Sequence, residues 1–138
     1  MARILLVDDE EHIRRLYTEE LSEEGHKIFT VASGHNLLKR IDSLQPEAVV
    51  LDIRLEDYDG LELLQEIRNL YHDLPVILCT AYDTYKYDQK SIAADYYIVK
   101  SFDLSELKMA IERAIEGHTS MRLIEPASQR LPIGQKPS

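Results

Sequence analysis

The chain has 138 residues, 44% of them hydrophobic and 30% charged, and its 16 Lys and Arg against 25 Asp and Glu leave a net charge of −9. That length supports one domain with its own core, and the acidic balance argues against non-specific nucleic-acid binding while suiting a site that gathers a divalent cation. The only cysteine, Cys79, excludes an internal disulfide and fits a reducing cytoplasm, and the absence of a signal peptide or an apolar run of spanning length points to a soluble chain with no membrane association.

Arg3 to Val7 is a short apolar run that reads as a strand and ends at Asp8-Asp9. Glu10 to Glu24 is helical, with Ile13, Leu16, Tyr17 and Leu21 expected on one face and Gly25 as its C-terminal cap. Lys27 to Ala32 alternates as a half-exposed edge strand does. Ser33 is placed to cap a second helix carrying Leu37, Leu38, Ile41 and Leu44, which Pro46 stops.

Ala48-Val49-Val50-Leu51 is too short for an independent helix and reads as a buried strand running into Asp52. An unpaired carboxylate inside such a strand would cost too much, so Asp52 belongs at its C-terminal edge, where open α/β sheets bind ligands. An acidic loop follows, Glu56-Asp57-Tyr58-Asp59-Gly60, and then a third helix from about Leu61 to Leu70 with Leu63, Leu64, Ile67 and Leu70 as its apolar face. Pro75 to Thr80 is a fourth buried strand, Tyr85 to Ala94 a weak polar helix, and Tyr96 to Val99 a fifth strand ending at Lys100. Asp103-Leu104-Ser105-Glu106 resembles a capping box that opens the last helix. The helical pattern is expected to stop at Gly117, with residues 1–118 as the domain and 119–138, which hold Pro126, Pro132 and Pro137, as a tail or linker. Residues 1–117 carry 13 cationic and 24 acidic side chains, a net −11, so the acidity lies in the domain.

Five strand–helix repeats call for an α/β fold, a doubly wound five-stranded parallel sheet with helices on both faces and right-handed crossovers. No glycine-rich loop follows the first strand; Asp-Asp-Glu-Glu stands there and would repel a pyrophosphate, which argues against a dinucleotide site. Asp8, Asp9, Asp52, Thr80 and Lys100 all lie at strand ends. Each alone has an ordinary reading: a helix cap, a turn acid, a β-former, a solvated lysine. In a parallel sheet all five converge on one edge. Three carboxylates there repel and require positive charge, which Mg2+ and an ammonium supply, and a carboxylate is a competent phosphoryl acceptor. The five histidines show no metal-like spacing and read as surface or loop residues, His12 lying near the acidic site; Cys79 reads as an inert core residue.

The pieces Ile-Leu-Leu-Val-Asp8-Asp9-Glu10, Val-Val-Leu-Asp52-Ile-Arg54 with Asp59-Gly60, Thr80-Ala81, and Ala94-Asp95-Tyr96-Tyr97-Ile98-Val99-Lys100-Ser101-Phe102 resemble, in this order, the receiver domain of two-component response regulators. The resemblance covers about residues 2–117. It implies a flavodoxin-like fold with strand order 2-1-3-4-5. By the same resemblance, Asp52 is the phosphoacceptor; Asp8, Asp9, Asp52 and the backbone carbonyl of Arg54 hold Mg2+. Lys100 contacts the phosphoryl oxygens, Thr80 hydrogen-bonds the aspartyl phosphate, and Tyr97 is the aromatic switch. Arg54 and Tyr82 occupy the positions that flank the approach of hydrolytic water. The implied function is a signalling receiver rather than an enzyme, with self-phosphorylation and self-dephosphorylation chemistry of its own. Its implied partners are a histidine kinase or phosphotransfer protein, and an output domain, output protein or second copy bound around Tyr85–Tyr97 and the last helix, with no direct nucleic-acid contact. The chain departs from the family pattern at Leu55-Glu56, at Ala93 and at Lys100-Ser101, where the family has Met-Pro, Gly and Lys-Pro.

Two alternatives stand beside this reading. One is a Mg2+-dependent phosphohydrolase with an aspartate nucleophile; its second Asp, two residues on, is here Arg54, which counts against it. The other is a degenerate receiver that docks partners without phosphorylation, against which all five site residues are present.

Overall fold

The computed structural model describes residues 2–82, 84, 88–101 and 103–124, with the side chains of the last helix described to residue 117. The elements run β1 (Arg3–Val7), α1 (Glu11–Glu23), β2 (Lys27–Val31), α2 (Leu37–Leu44), β3 (Ala48–Leu51), α3 (Gly60–Leu70), β4 (Val76–Thr80), a 3-10 helix (Gln89–Ala93), β5 (Tyr96–Val99) and α4 (Ser105–Ile124). The five strands form one parallel sheet in the order β2-β1-β3-β4-β5.

Alternation along the central strands divides the core in two. Ile4 and Leu6 of β1, Val50, Ile77, Cys79 and Ile98 face α1 and α4, meeting Tyr17, Leu21, Leu107 and Ile111. Leu5 and Val7, Val49, Leu51, Val76 and Leu78 face α2 and α3, meeting Leu37, Ile41, Leu64 and Ile67. Strands buried on both faces are what near-continuous apolar runs encode. The edge strand β2 is only partly buried, as its alternation implied.

Backbone hydrogen bonds carry the ladder one residue past the strands and fix the site. The Asp8 N–H donates to the Val31 carbonyl (3.2 Å), the Asp52 N–H to Val7 (3.1 Å), and the Lys100 N–H to Thr80 (2.7 Å). Asp8, Asp52, Thr80 and Lys100 are thereby held at one edge. Beneath that edge α3 begins unusually close to β3: the Gly60 N–H donates to the Ile53 carbonyl at 2.6 Å. The Asp59 carboxylate caps α3 by accepting from the Leu61 N–H at 2.9 Å, and Arg54 and Asp59 pair across the acidic loop.

Several local expectations are corrected. Ser33 does not cap α2, which starts at Leu37; its hydroxyl donates to Asp57 (2.7 Å) and accepts from the His35 N–H (2.9 Å), tying two loops together. Leu16 stays 39% exposed, because the stripe facing the sheet runs through Tyr17 and Leu21, about 100° and more around the helix. Leu70 is 62% exposed as the last residue of α3, beyond its last buried turn at Ile67. His26 lies in the loop before β2, as one of the two expected readings has it, but its side chain is only 8% exposed, with Nε2 3.6 Å from Glu112 of α4 and Nδ1 buried without a partner. Among the described residues the fourth helical segment is a five-residue 3-10 helix, Gln89–Ala93, preceded by an extended Asp88; the part of the expected helix at Tyr85 and Tyr87 lies outside the described residues. The Asp103 carboxylate caps the start of α4 by accepting from the Ser105 N–H (2.9 Å), but the Asp103 N–H donates to Ser101 Oγ rather than to Glu106. Finally, α4 continues through Gly117 to Ile124. One glycine costs a helix about 1 kcal/mol and does not end it, and the next breaker in the sequence is Pro126.

The close approach at Gly60 makes a prediction. A Cβ there would meet the Asp52 carbonyl oxygen and lie 2.6 Å from the Ile53 Cα, both backbone atoms that cannot rotate away. Gly60→Ala is expected to destabilise by about 1–3 kcal/mol or more. Gly117→Ala, with nothing within 4 Å of its Cβ, is expected to stabilise by about 0.5–1 kcal/mol. Urea unfolding midpoints of the two variants check both signs.

Candidate functional site

Asp8 and Asp52 are buried at 2% and 5% exposure, and Thr80 at 0%. Asp9 is half-buried, and the Lys100 side chain is 10% exposed. Burial of two carboxylates at this depth is tolerated only with compensating charge and hydrogen bonds. Lys100 Nζ supplies the charge: it lies 2.7 Å from Asp8 Oδ2, 2.9 Å from Asp52 Oδ2 and 3.5 Å from Glu10 Oε1. The other carboxylate oxygens use backbone donors. Asp8 Oδ1 accepts from the Glu10 N–H (2.9 Å) and Asp52 Oδ1 from the Arg54 N–H (3.3 Å).

One ammonium thus serves three carboxylates, and the proton equilibria reflect that ratio. Burial would lower the Lys100 pKa, but its hydrogen bonds to Asp8 and Asp52 together outweigh it and hold the ammonium above the usual lysine range. Asp52 receives only a share of that charge. Burial raises its pKa, Lys100 pulls it back, and the nearby Asp8 raises it again, with a net upward shift.

The cluster remains short of positive charge. Asp8, Asp9, Glu10 and Asp52 each place a carboxylate oxygen within 4.8 Å of the others. An all-oxygen, mostly anionic donor set fits a hard divalent cation such as Mg2+. Asp8, Asp9 and Asp52 are where the sequence put them. Glu10 was missed: it reads as the opening of a helix, and only its place next to two strand-end acids in Asp-Asp-Glu-Glu signals a share in the site.

Thr80 is brought to the same edge, and its Oγ1 is buried with no hydrogen-bond partner. Burying an unsatisfied hydroxyl costs about 1–3 kcal/mol, so the site carries a donor without an acceptor. The half-buried Tyr97 donates its hydroxyl to the Tyr82 carbonyl at 2.5 Å. The Arg54 guanidinium lies over the Tyr82 ring, 5.0 Å from its centroid. Asp9, Glu10, Asp52, Arg54, Leu55, Glu56, Ala81, Tyr82 and Lys100 line a cleft of about 470 Å³. A second cleft of about 390 Å³, at the opposite edge between Pro46, Tyr71, Pro75 and Ile115, holds none of the predicted residues. Cys79 is buried in the core, and that burial pushes its thiol up to about 12, which keeps it unreactive. Among the described residues no peptide bond is cis, so Lys100–Ser101 is trans; Phe102 lies outside those residues.

A parallel sheet in this order with buried acids, a lysine and a hydroxyl at its carboxyl edge defines a doubly wound domain with a candidate ion-binding site at that edge. The family model of the response regulator receiver domain matches residues 4–112. The structure superposes on the response regulator TrrA of Thermotoga maritima, solved with Mg2+ and BeF, with a TM-score of 0.80 and 46% identity, over 83% of this chain and 99% of that one. TrrA has also been solved in complex with the histidine kinase ThkA. Sporulation initiation phosphotransferase F of Bacillus subtilis is 32% identical over 113 residues, 80% of this chain and 91% of that protein. The regulatory protein AtoC of Escherichia coli is 32% identical over 131 residues, 94% of this chain but only 28% of AtoC, so the chain spans under a third of that longer relative. The chain belongs to this family: it is a response-regulator receiver domain, the phosphoacceptor module of two-component signalling.

The shared ammonium yields a pH prediction. Lys100→Met leaves Asp8 and Asp52 buried side by side without a cation, and in the absence of divalent metal is expected to cost about 3–5 kcal/mol at pH 7.5. Asp52 already titrates above its ordinary value, and the variant removes the group that lowers it. A carboxyl whose folded pKa exceeds its unfolded value binds more protons when folded, so its penalty shrinks as the pH falls through the folded value. Urea unfolding should therefore show a smaller deficit at pH 5 than at pH 7.5; an equal or larger deficit contradicts the assignment.

Proposed function

We propose that Asp52 accepts a phosphoryl group from the phosphohistidine of a histidine kinase or phosphotransfer protein. The observation that carries this is the pairing of Asp52 with Lys100 beside the unpartnered Thr80 hydroxyl. An Asp52 carboxylate oxygen forms the new bond to phosphorus as the bond to the donor nitrogen breaks. Asp8, Asp9, Asp52 and the Arg54 backbone carbonyl would hold Mg2+, with Glu10 beside them. When bound, Mg2+ neutralises charge on the phosphoryl oxygens and on the acids around them. Lys100 exchanges a carboxylate oxygen for a phosphoryl oxygen, and Thr80 gains the acceptor it lacks. Small-molecule phosphoryl donors serve the same carboxylate, and water removes the group again.

The switch follows from that exchange. Movement of Thr80 toward Asp52 draws on the segment that carries the Tyr82 carbonyl, breaks its bond to the Tyr97 hydroxyl and frees the ring to turn inward. The surface that reads this change is the one around the 3-10 helix, β5 and α4, where Tyr82, Ile92, Val99 and Met109 are exposed. That face suits an output domain, an output protein or a second copy of the chain. Residues 1–118 form the receiver and 119–138 the tail or linker, whose first residues to Ile124 continue α4. No helix among the described residues is long and apolar enough to cross a membrane, and the cytoplasm is the compartment that suits a histidine-kinase partner.

Incubation with acetyl phosphate and Mg2+ is expected to label wild type with an acid-stable, base-labile acyl phosphate and to leave Asp52→Asn unlabelled; labelling of Asp52→Asn at the wild-type rate overturns the assignment. Asp9→Ala should weaken Mg2+ binding, read by titration of tyrosine fluorescence.

The Arg54–Tyr82 stack supports a role in phosphoryl lifetime, since it stands beside Asp52 at the mouth of the cleft. An exposed cation–π contact is worth about 0.5–1 kcal/mol, enough to bias both side chains toward covering the mouth. Arg54→Ala and Tyr82→Ala are each expected to release phosphate about 2- to 5-fold faster, and the double variant less than the product of the two. Equal or slower release in all three rejects the shielding role.

A further inference from the structure

The 3-10 helix Gln89–Ala93 is a weak element in a strong frame. A five-residue 3-10 turn has poor hydrogen-bond geometry, and runs of that length are uncommon. Its Ile92 is 52% exposed. Besides the burial of Ser91, a row of polar side chains along one edge of α3, three residues apart, ties it to the frame. Glu62 forms an ion pair with Lys90 Nζ. Gln65 Nε2 donates to the Lys90 carbonyl at 2.9 Å. Arg68 Nε and Nη2 both donate to the Ala93 carbonyl, at 3.0 and 2.8 Å. Spacing of i, i+3 and i+6 puts the three on one edge of the helix.

The two ends of this row differ in character. Arg68 also donates to the carbonyls of His72 (3.0 Å) and Leu74 (2.8 Å) and pairs with Asp95 at 3.2 Å, so it belongs to the frame. Glu62, which is exposed, and Gln65, which is half-buried, touch the 3-10 helix. α3 itself cannot follow the 3-10 helix if it moves: five of its residues are buried, and its first turn is pressed against the end of β3 at Gly60.

The segment held in this way is closed on itself at the other side. Tyr82 precedes the 3-10 helix by seven residues, Tyr97 follows it by four, and the Tyr97 hydroxyl donates to the Tyr82 carbonyl. Among the described residues, the Tyr97 hydroxyl thus ties β5 to Tyr82 on one side of the 3-10 helix, and the α3 side chains hold the 3-10 helix itself. This is the arrangement in which Thr80 Oγ1 has no partner.

We propose that the Glu62–Gln65 edge of α3 is an autoinhibitory clamp that holds the 3-10 helix and the Tyr82–Tyr97 bond in the resting arrangement, so that its strength sets how readily Asp52 takes up a phosphoryl group. The inference rests on the phosphoacceptor reading. A contact made only in the resting state and lost in the phosphoryl-bound state must, by linkage, weaken binding of the group that it opposes. Removing it tightens binding, whereas loss of a merely structural contact leaves binding unchanged or weakens it.

The test is titration of beryllofluoride, a phosphoryl mimic, with saturating Mg2+ on the full chain, followed by NMR of Thr80 and Tyr97. Glu62→Gln and Gln65→Ala are each expected to bind beryllofluoride more tightly, and together by about 3- to 10-fold, as for one surface ion pair and one hydrogen bond. The charge swap Glu62→Lys with Lys90→Glu should restore wild-type affinity. The difference between wild type and Glu62→Gln should shrink at about 0.5 M salt, where surface charges are screened. A single cooperative urea transition, with a midpoint lowered no further than the loss of these resting-state contacts requires, will show that the variants remain folded. Unchanged or weaker affinity in the double variant overturns the clamp while leaving the phosphoacceptor reading intact. A wild type that neither binds beryllofluoride nor labels at Asp52 overturns both.

Discussion

The buried Lys100 ammonium is the contact on which the rest depends. Two carboxylates, Asp8 and Asp52, sit almost wholly out of water on neighbouring strands, and Lys100 arrives from two strands further along the sheet to stand between them at 2.7 and 2.9 Å. Without it, desolvation and like-charge repulsion would both oppose the fold at this edge. With it, the edge is held but not neutralised, because Asp9 and Glu10 add further negative charge. A site in that condition has two routes to balance. It can recruit a divalent cation, or, with the cation present, it can exchange a carboxylate's share of Lys100 for a phosphoryl group.

The sheet makes this geometry inexpensive. Parallel strands end on the same side, so residues 8, 52, 80 and 100 need no loops to bring them together. The ladder bonds from Asp8, Asp52 and Lys100 fix their backbones as firmly as any core residue. Among the described buried side chains of the site, Thr80 is the one left without a hydrogen-bond partner. In the proposed switch that isolated cost is what the phosphoryl group would relieve, by supplying a missing acceptor rather than displacing a good one. The Tyr97–Tyr82 bond and the α3 contacts to the 3-10 helix stand on the opposite side of that balance.

The legible parts of the molecule were those governed by burial and period. β1, β3 and β4 are apolar runs ending in a polar residue, and such runs have few other folds open to them, so the sheet and the residues at its edge follow directly. Less legible were features decided by tertiary contact. Ser33 and Asp103 both look like caps, yet Ser33 is drawn off by Asp57, a residue in a different loop. Leu16 and Leu70 satisfy the helical period but fall outside the area that the sheet covers. The fourth helix carries too few apolar residues to fix its own geometry, and it takes the form of a 3-10 turn set by Glu62, Gln65 and Arg68. Glu10 shares the acidic cluster only because β1 and β3 lie side by side, a juxtaposition that helix periodicity does not report.

The central claim is that the Lys100–Asp8–Asp52 arrangement with an unpartnered Thr80 is the resting state of a phosphoryl-binding site. A crystal structure of the chain with Mg2+ and beryllofluoride tests it most directly. The account predicts beryllofluoride on the Asp52 carboxylate, with Lys100 Nζ and Thr80 Oγ1 both within hydrogen-bond distance of its fluorine atoms, and the Tyr97 hydroxyl no longer on the Tyr82 carbonyl. Beryllofluoride bound elsewhere, or bound at Asp52 with Thr80 Oγ1 still unpartnered and the Tyr97–Tyr82 bond intact, would contradict it.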